Sequence, residues 1–228
     1  MALKPQKLYS KLHLMSIISF IGLIIGLNFH IVHGKNKAFL ILNQYHSPFF
    51  DQFFICITNF GDGLVWLILF IVCLFFNKKR IPIVLVNFLI STAFALFLKR
   101  LIFSHELRPV ALLKEGFLIH IVEGVKIHTQ NSFPSGHTIT AFAVACTIIL
   151  LLKRGNPYKY LVLIMAFLVG FSRVYLAQHF PIDIIAGGFI GISSTFITIY
   201  VLSLFKVSKP SIFIEEAPKN LDYLRILE

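Results

Sequence analysis

The sequence predicts an all-α polytopic membrane protein: a six-transmembrane-helix bundle with an interfacial helix ahead of the second span. Three observations carry that prediction. Of the 228 residues, 57% are hydrophobic and only 14% charged, where a globular domain averages about a quarter charged. The apolar residues fall in blocks, several near the ~20 residues that cross a bilayer as a helix. The 21 Lys and Arg residues then divide unevenly between the two sides of those blocks, as cytoplasmic loops of membrane proteins make them do. These features exclude a disordered chain, a collagen, a disulfide scaffold and a water-soluble enzyme of ordinary composition.

The first span is expected over Leu14 to Val32, with no small-residue cleavage site after it, so it reads as a retained helix rather than a signal peptide. The second ends in Leu64 to Phe76 and is too short alone, so it is expected to start near Asn59-Phe60-Gly61-Asp62, with Asp62 capping its N-terminus. Spans three to six follow at Ile81 to Phe103, Ser135 to Leu152, Tyr160 to Gln178 and Ile182 to Phe205. Breakers fall between them at Asn77 to Arg80, at Gly155-Asn156-Pro157 and at Pro181. Between spans one and two, Phe49, Phe50, Phe53, Phe54 and Ile57 make a stripe at helical spacing. That stripe suits either an amphipathic helix lying in the interface or a lid packed over the bundle. Residues 104–132 form a loop too long for a mere connector. One domain is expected over residues 1–208, with its core motifs within 99–183, followed by a cytoplasmic tail at 209–228.

With the N-terminus placed in the cytoplasm, 13 cations fall inside and 8 outside. The split supports six passes with both termini cytoplasmic and loop 104–132 on the periplasmic or extracellular side. The formal charge of +11 is therefore read as topology rather than as a nucleic-acid surface. Cys56, Cys73 and Cys146 are an odd number, lie in apolar runs and match no metal-ligand spacing. They read as packing residues.

Three strings remain. In Ser132-Phe133-Pro134-Ser135-Gly136-His137-Thr138, Ser and Gly precede an apolar helix and leave free backbone N–H groups. Such a helix end attracts anions, and His137 beside it is placed to donate a proton. The plainer reading is an N-cap with an incidental His. In Ser172-Arg173 … His179 … Asp183, Arg173 offers a planar fork matched to phosphate oxygens. Asp183 lies close enough to hold one nitrogen of His179 protonated and leave the other as a nucleophile. The plainer reading is a buried Arg–Asp pair with an interfacial His. The third string, Lys99-Arg100 followed by Arg108-Pro109, is weak alone, because interfacial cations often snorkel at helix ends. The charge-derived topology brings all three strings to the outer ends of spans three to six. Four cations, two His and one Asp gathered there read as a metal-free site that binds a phosphate dianion and breaks a P–O bond.

At this point the sequence resembles the type 2 phosphatidic acid phosphatases, the superfamily of lipid phosphate phosphatases that includes the vanadium haloperoxidases. Pro134-Ser135-Gly136-His137 matches that family's second signature, and Ser172-Arg173 with His179 and Asp183 matches its third. The first signature is normally Lys, six residues, then Arg-Pro. Here eight residues separate Lys99 from Arg108 and seven separate Arg100 from it, so the spacing leaves both open; residue type favours Lys99 for the lysine role, with Arg100 as substitute. The resemblance implies catalysis by His179, His137 and Asp183: His179 as a nucleophile forming a phosphohistidine, Asp183 orienting it, and His137 protonating the leaving group. It implies that Lys99 or Arg100, Arg108, Ser135, the Gly136 N–H and Arg173 bind the phosphate, without metal or organic cofactor. The implied partners are the bilayer and a phosphorylated membrane lipid: phosphatidic acid, phosphatidylglycerophosphate, undecaprenyl pyrophosphate or lipid A. The run from Val122-Glu123-Gly124 through Phe133-Pro134-Ser135 resembles Bacteroidota-type lipid phosphatases, some of which act on lipid A. A soluble haloperoxidase is at odds with six apolar spans. A transporter with a phosphate site would hold its ionisable groups near the bilayer midplane rather than at helix ends.

Overall fold

A computed structural model describes residues 5–204; the tail expected at 209–228 lies outside them. Eight α-helices follow in order: α1 (Pro5–His33), α2 (Lys35–Asn43), α3 (Pro48–Thr58), α4 (Leu64–Phe76), α5 (Ile81–Phe97), α6 (Gly136–Leu151), α7 (Tyr158–Tyr175) and α8 (Pro181–Leu204). The chain is all-α and multi-pass, but the six-span expectation is not met in full. Helices α1, α7, α8 and the stretch Lys78–Ile102 are each long and apolar enough to cross a membrane. Helices α3 and α4 make one further candidate only if taken as a pair, and they are bent by 57° where they join. Helix α6 has 16 residues, about 24 Å at 1.5 Å per residue, short of the ~30 Å hydrocarbon core. It sits inside the bundle: Ile139 and Ala141 to Thr147 are all buried, so its length answers to its neighbours rather than to lipid.

The segment between α1 and α4 departs from the expected single interfacial helix. It forms two helices, because Ser47 accepts a hydrogen bond from the Phe50 N–H and Pro48 opens a new helix after the break. Helix α3 leans on α7 with Phe54 and Ile57 buried, while Phe49 and Phe50 stay exposed. One face of α3 thus packs on the bundle and the other stays open. The second span starts as a helix at Leu64, just past the expected Asn59 to Asp62. A 3-10 turn at Asn59–Gly61 breaks the chain first, and Asp62 Oδ1 accepts from the Leu64 N–H at 3.4 Å at the true start of α4. The fifth span stops at Tyr175 rather than Gln178. Ala177 adopts a positive φ of 52°, and the N–H groups of Gln178 and His179 both fold back onto the Arg173 carbonyl.

Helices α6 and α8 form the centre, flanked by α1, α5 and α7. They approach so closely that a Cβ on Gly191 would stand 2.6 Å from the Ile139 carbonyl oxygen. Small residues at such seams let backbones meet where lipid offers no hydrophobic drive for association. One buried polar group ties three helices together. Asn87 Nδ2 on α5 donates to Thr147 Oγ1 on α6 at 2.7 Å and to Thr195 Oγ1 on α8 at 2.9 Å. Of the cysteines, Cys73 and Cys146 are buried and Cys56 is exposed; none is paired.

Candidate active site

Four helix ends meet at one end of the bundle. Helix α5 closes in a wide turn over Leu98–Ile102, with the Phe103 N–H reaching back to the Leu98 carbonyl, and this turn carries the first cation. Lys99 is half-buried, and a Cβ on Gly136 would lie 3.8 Å from its Nζ. Its neighbour Arg100 is exposed. Of the two residues the spacing left open, Lys99 is therefore the one beside the α6 N-terminus.

Arg108 follows in extended backbone, 7% exposed, held at several points. Its Nε donates to the Gln130 carbonyl at 2.8 Å, its Nη1 to the Gln178 carbonyl at 2.9 Å, and its Nη2 to the Asn131 carbonyl at 3.3 Å. Carbonyl acceptors leave the positive charge unneutralised, so it remains available to an anion. Ser135 caps α6: its Oγ accepts from the Thr138 N–H and hydroxyl, and its own N–H donates to the Asp183 carbonyl at 3.0 Å. That last bond pins the start of α6 to the start of α8. Arg173, in the last turn of α7, donates from Nη1 to Thr58 Oγ1 at 2.6 Å. Its buried Nε finds no acceptor among the described residues, as expected of a donor kept for a ligand.

The turn after α7 delivers His179, 1% exposed. Its Nδ1 faces Asp183 Oδ2 at 3.3 Å across the first turn of α8. The same oxygen accepts from the Ser132 hydroxyl and from the Phe180 N–H at 2.9 Å. Burial first, and then the charges of Arg108, Lys99 and Arg173, hold the His179 imidazole well below its ordinary range. With Nδ1 turned to a carboxylate, the proton belongs on Nδ1 and the lone pair on Nε2. His137 is half-buried in the first turn of α6, where Gly61 approaches so closely that a Cβ would meet His137 Cβ and its carbonyl at 2.9 Å.

Three contributors escaped the sequence reading. Ser132 lies within the quoted string, yet only its contact with Asp183, 51 positions away, marks it. Thr58 reaches Arg173 from 115 positions away, and no local pattern announces that. Gln178 offers both its backbone carbonyl and Oε1 to Arg108; its place beside His179 was the only cue. A further layer sits behind α7. Tyr175 donates to the Asp51 carboxylate, which also meets His120 Nε2 at 2.8 Å, while Asn43 bridges the His120 and Tyr175 carbonyls.

A multi-pass helical bundle with cations, a helix N-terminus and a carboxylate-backed His gathered at one end has the architecture of a membrane lipid phosphatase. The model of the PAP2 superfamily matches residues 84–206, and the chain belongs to that superfamily. It is 26% identical to the undecaprenyl-diphosphatase of Sulfolobus acidocaldarius over 201 residues, covering 85% of this chain and 93% of that protein. It is 30% identical to the lipid A 4'-phosphatase of Bacteroides thetaiotaomicron over 169 residues, covering 68% and 71%. The crystal structure of LpxE from Aquifex aeolicus superposes with a TM-score of 0.62 at 27% identity, over 73% of this chain and 94% of that one.

Proposed function

We propose that the protein removes a phosphate from a phosphomonoester or pyrophosphate lipid headgroup through a covalent phosphohistidine on His179. The observation that carries this reading is the setting of His179: buried, backed by Asp183 at 3.3 Å, and surrounded by the charges of Arg108, Lys99 and Arg173. The Nε2 lone pair attacks phosphorus while the bond to the leaving oxygen breaks, and His137 gives that oxygen its proton. Asp183 accepts the Nδ1–H and stabilises the imidazolium character that develops. Lys99, Arg108, Arg173, Ser135 and the Gly136 N–H hold the equatorial oxygens, where donors fixed in advance contribute most. Water, losing a proton to His137, then attacks the phosphohistidine and cleaves the N–P bond. This returns neutral His179 and inorganic phosphate. No step calls for a metal.

The substrate reading favours undecaprenyl pyrophosphate and lipid A phosphates, the substrates named for the two curated relatives described above, over phosphatidylglycerophosphate and phosphatidic acid. The charge split favours six passes with both termini in the cytoplasm and the site on the outer face, and the helices around the three strings make one catalytic domain over 1–208. The test presents the purified protein with all four lipid classes under chelator and measures phosphate release. Turnover of one class with full activity in chelator supports the reading; loss of activity in chelator removes the metal-free mechanism. Alkaline quenching during turnover of labelled substrate is expected to trap base-stable phosphoprotein in the wild type and none in His179→Ala.

A further inference from the structure

The described residues at the end of the bundle remote from His179 carry charge of one sign. Among the described residues, the acidic side chains Asp51, Asp62, Glu106, Glu115, Glu123 and Asp183 all belong to segments at the site end. The opposite end carries Lys11, Lys78, Lys79, Arg80, Lys153, Arg154 and Lys159. Four of these cations share one cleft of about 140 Å³ where α1, the end of α6 and the start of α7 converge. Lys11, Lys153, Arg154 and Lys159 line it together with Leu14 and Ile149. The length of α6, about 24 Å, separates it from the Ser135 cap.

The cleft is built rather than incidental. Lys11 Nζ donates to the Leu152 carbonyl at 2.9 Å, which anchors α1 against the end of α6. The Lys159 ammonium stands 4.9 Å over the Tyr160 ring. Tyr158 and Tyr160 are both exposed, as aromatic side chains are where a bundle passes from hydrocarbon to headgroups. Sorting of cations to one side of a membrane requires only that they lie on that side. It does not require four of them to share a cleft with apolar walls, which is the form that recognises an anionic headgroup between helices.

We propose that this cleft binds the phosphate headgroup of an anionic phospholipid, with an acyl chain following the exposed Leu14 along α1 into the bilayer. The site is separate from the hydrolytic one and does not depend on its mechanism. The full chain, purified in uncharged detergent and stripped of lipid, is titrated with phosphatidylglycerol or phosphatidylcholine, and bound lipid is counted by native mass spectrometry. Phosphatidylglycerol is expected to bind in preference to phosphatidylcholine. Lys153→Gln/Arg154→Gln is expected to weaken it by about fivefold or more, with phosphate release from the lipid substrate in micelles without phosphatidylglycerol unchanged. Arg173→Ala, altered only in the hydrolytic site, is expected to retain the lipid. Equal retention of the two lipids, or undiminished binding by the double variant, overturns the proposal. Loss of binding in Arg173→Ala alone would put the lipid in the hydrolytic site and overturn it too. Glycerophosphate and inorganic phosphate supply the anion without chains: weaker competition than the lipid supports the assignment, and equal competition makes this a free-anion site and overturns it.

Discussion

Asp183 Oδ2 accepts three donors at once, from Ser132, the Phe180 N–H and His179 Nδ1. The first two fix the carboxylate so that it can orient the third. Hydrogen bonds to charged groups contribute about 1.5–3 kcal/mol, so Ser132→Ala is expected to lower kcat by about tenfold or more with KM little changed. Ser132→Thr, which keeps the hydroxyl, should recover part of the loss. A kcat equal to wild type in Ser132→Ala would remove Ser132 from the site. The pH behaviour of His179 follows from its surroundings. Burial and the three cations depress its folded value below the unfolded value of about 6.5, so the unfolded chain binds more protons in that window. The contribution to stability is therefore full above about pH 6.5 and is lost as pH falls toward the folded value. The His179 ring resonances of the ligand-free protein are expected not to titrate between about pH 6 and 8. A midpoint near 6.5 would contradict the geometry.

At the scale of elements, α6 and α8 carry the site between them, one presenting an N-terminus and the other a carboxylate, and their spacing sets the distance between the two. Gly191 governs that spacing, since backbone rather than a flexible side chain blocks any added Cβ at 2.6 Å. Gly191→Ala is expected to destabilise the bundle by about 1–3 kcal/mol, the range for overpacking, seen as a lower unfolding temperature in detergent, together with reduced turnover. An unchanged melting temperature would mean that the seam yields. Helix periods and breakers made most helices legible in advance, because α1, α5, α7 and α8 are long apolar runs bounded by Gly, Pro or charge. The misses share one cause. Where α3 bends from α4 and where α7 ends at Tyr175, irregular backbone inside an apolar run sets the boundary: the 3-10 turn at Asn59–Gly61 and the positive φ of Ala177.

At the scale of the whole molecule, and among the described residues, acidic side chains gather at the end that carries His179 and cations without acidic neighbours at the other. If the proposed orientation holds, a membrane-impermeant maleimide applied to intact cells should label Leu118→Cys in a cysteine-free background and leave Arg154→Cys unlabelled. The reverse pattern would invert the topology, and labelling of both would break it. By itself the sequence determined the all-α membrane class, the positions of the three strings and the residue types needed for phosphate chemistry, because apolar run length and motif spacing are local properties of the chain. Tertiary structure alone decided that Lys99 rather than Arg100 stands beside Gly136, that Thr58 holds Arg173, and that Ser132 clamps Asp183. Those contacts join residues brought within reach only when the helix ends converge, so no window along the chain contains both partners.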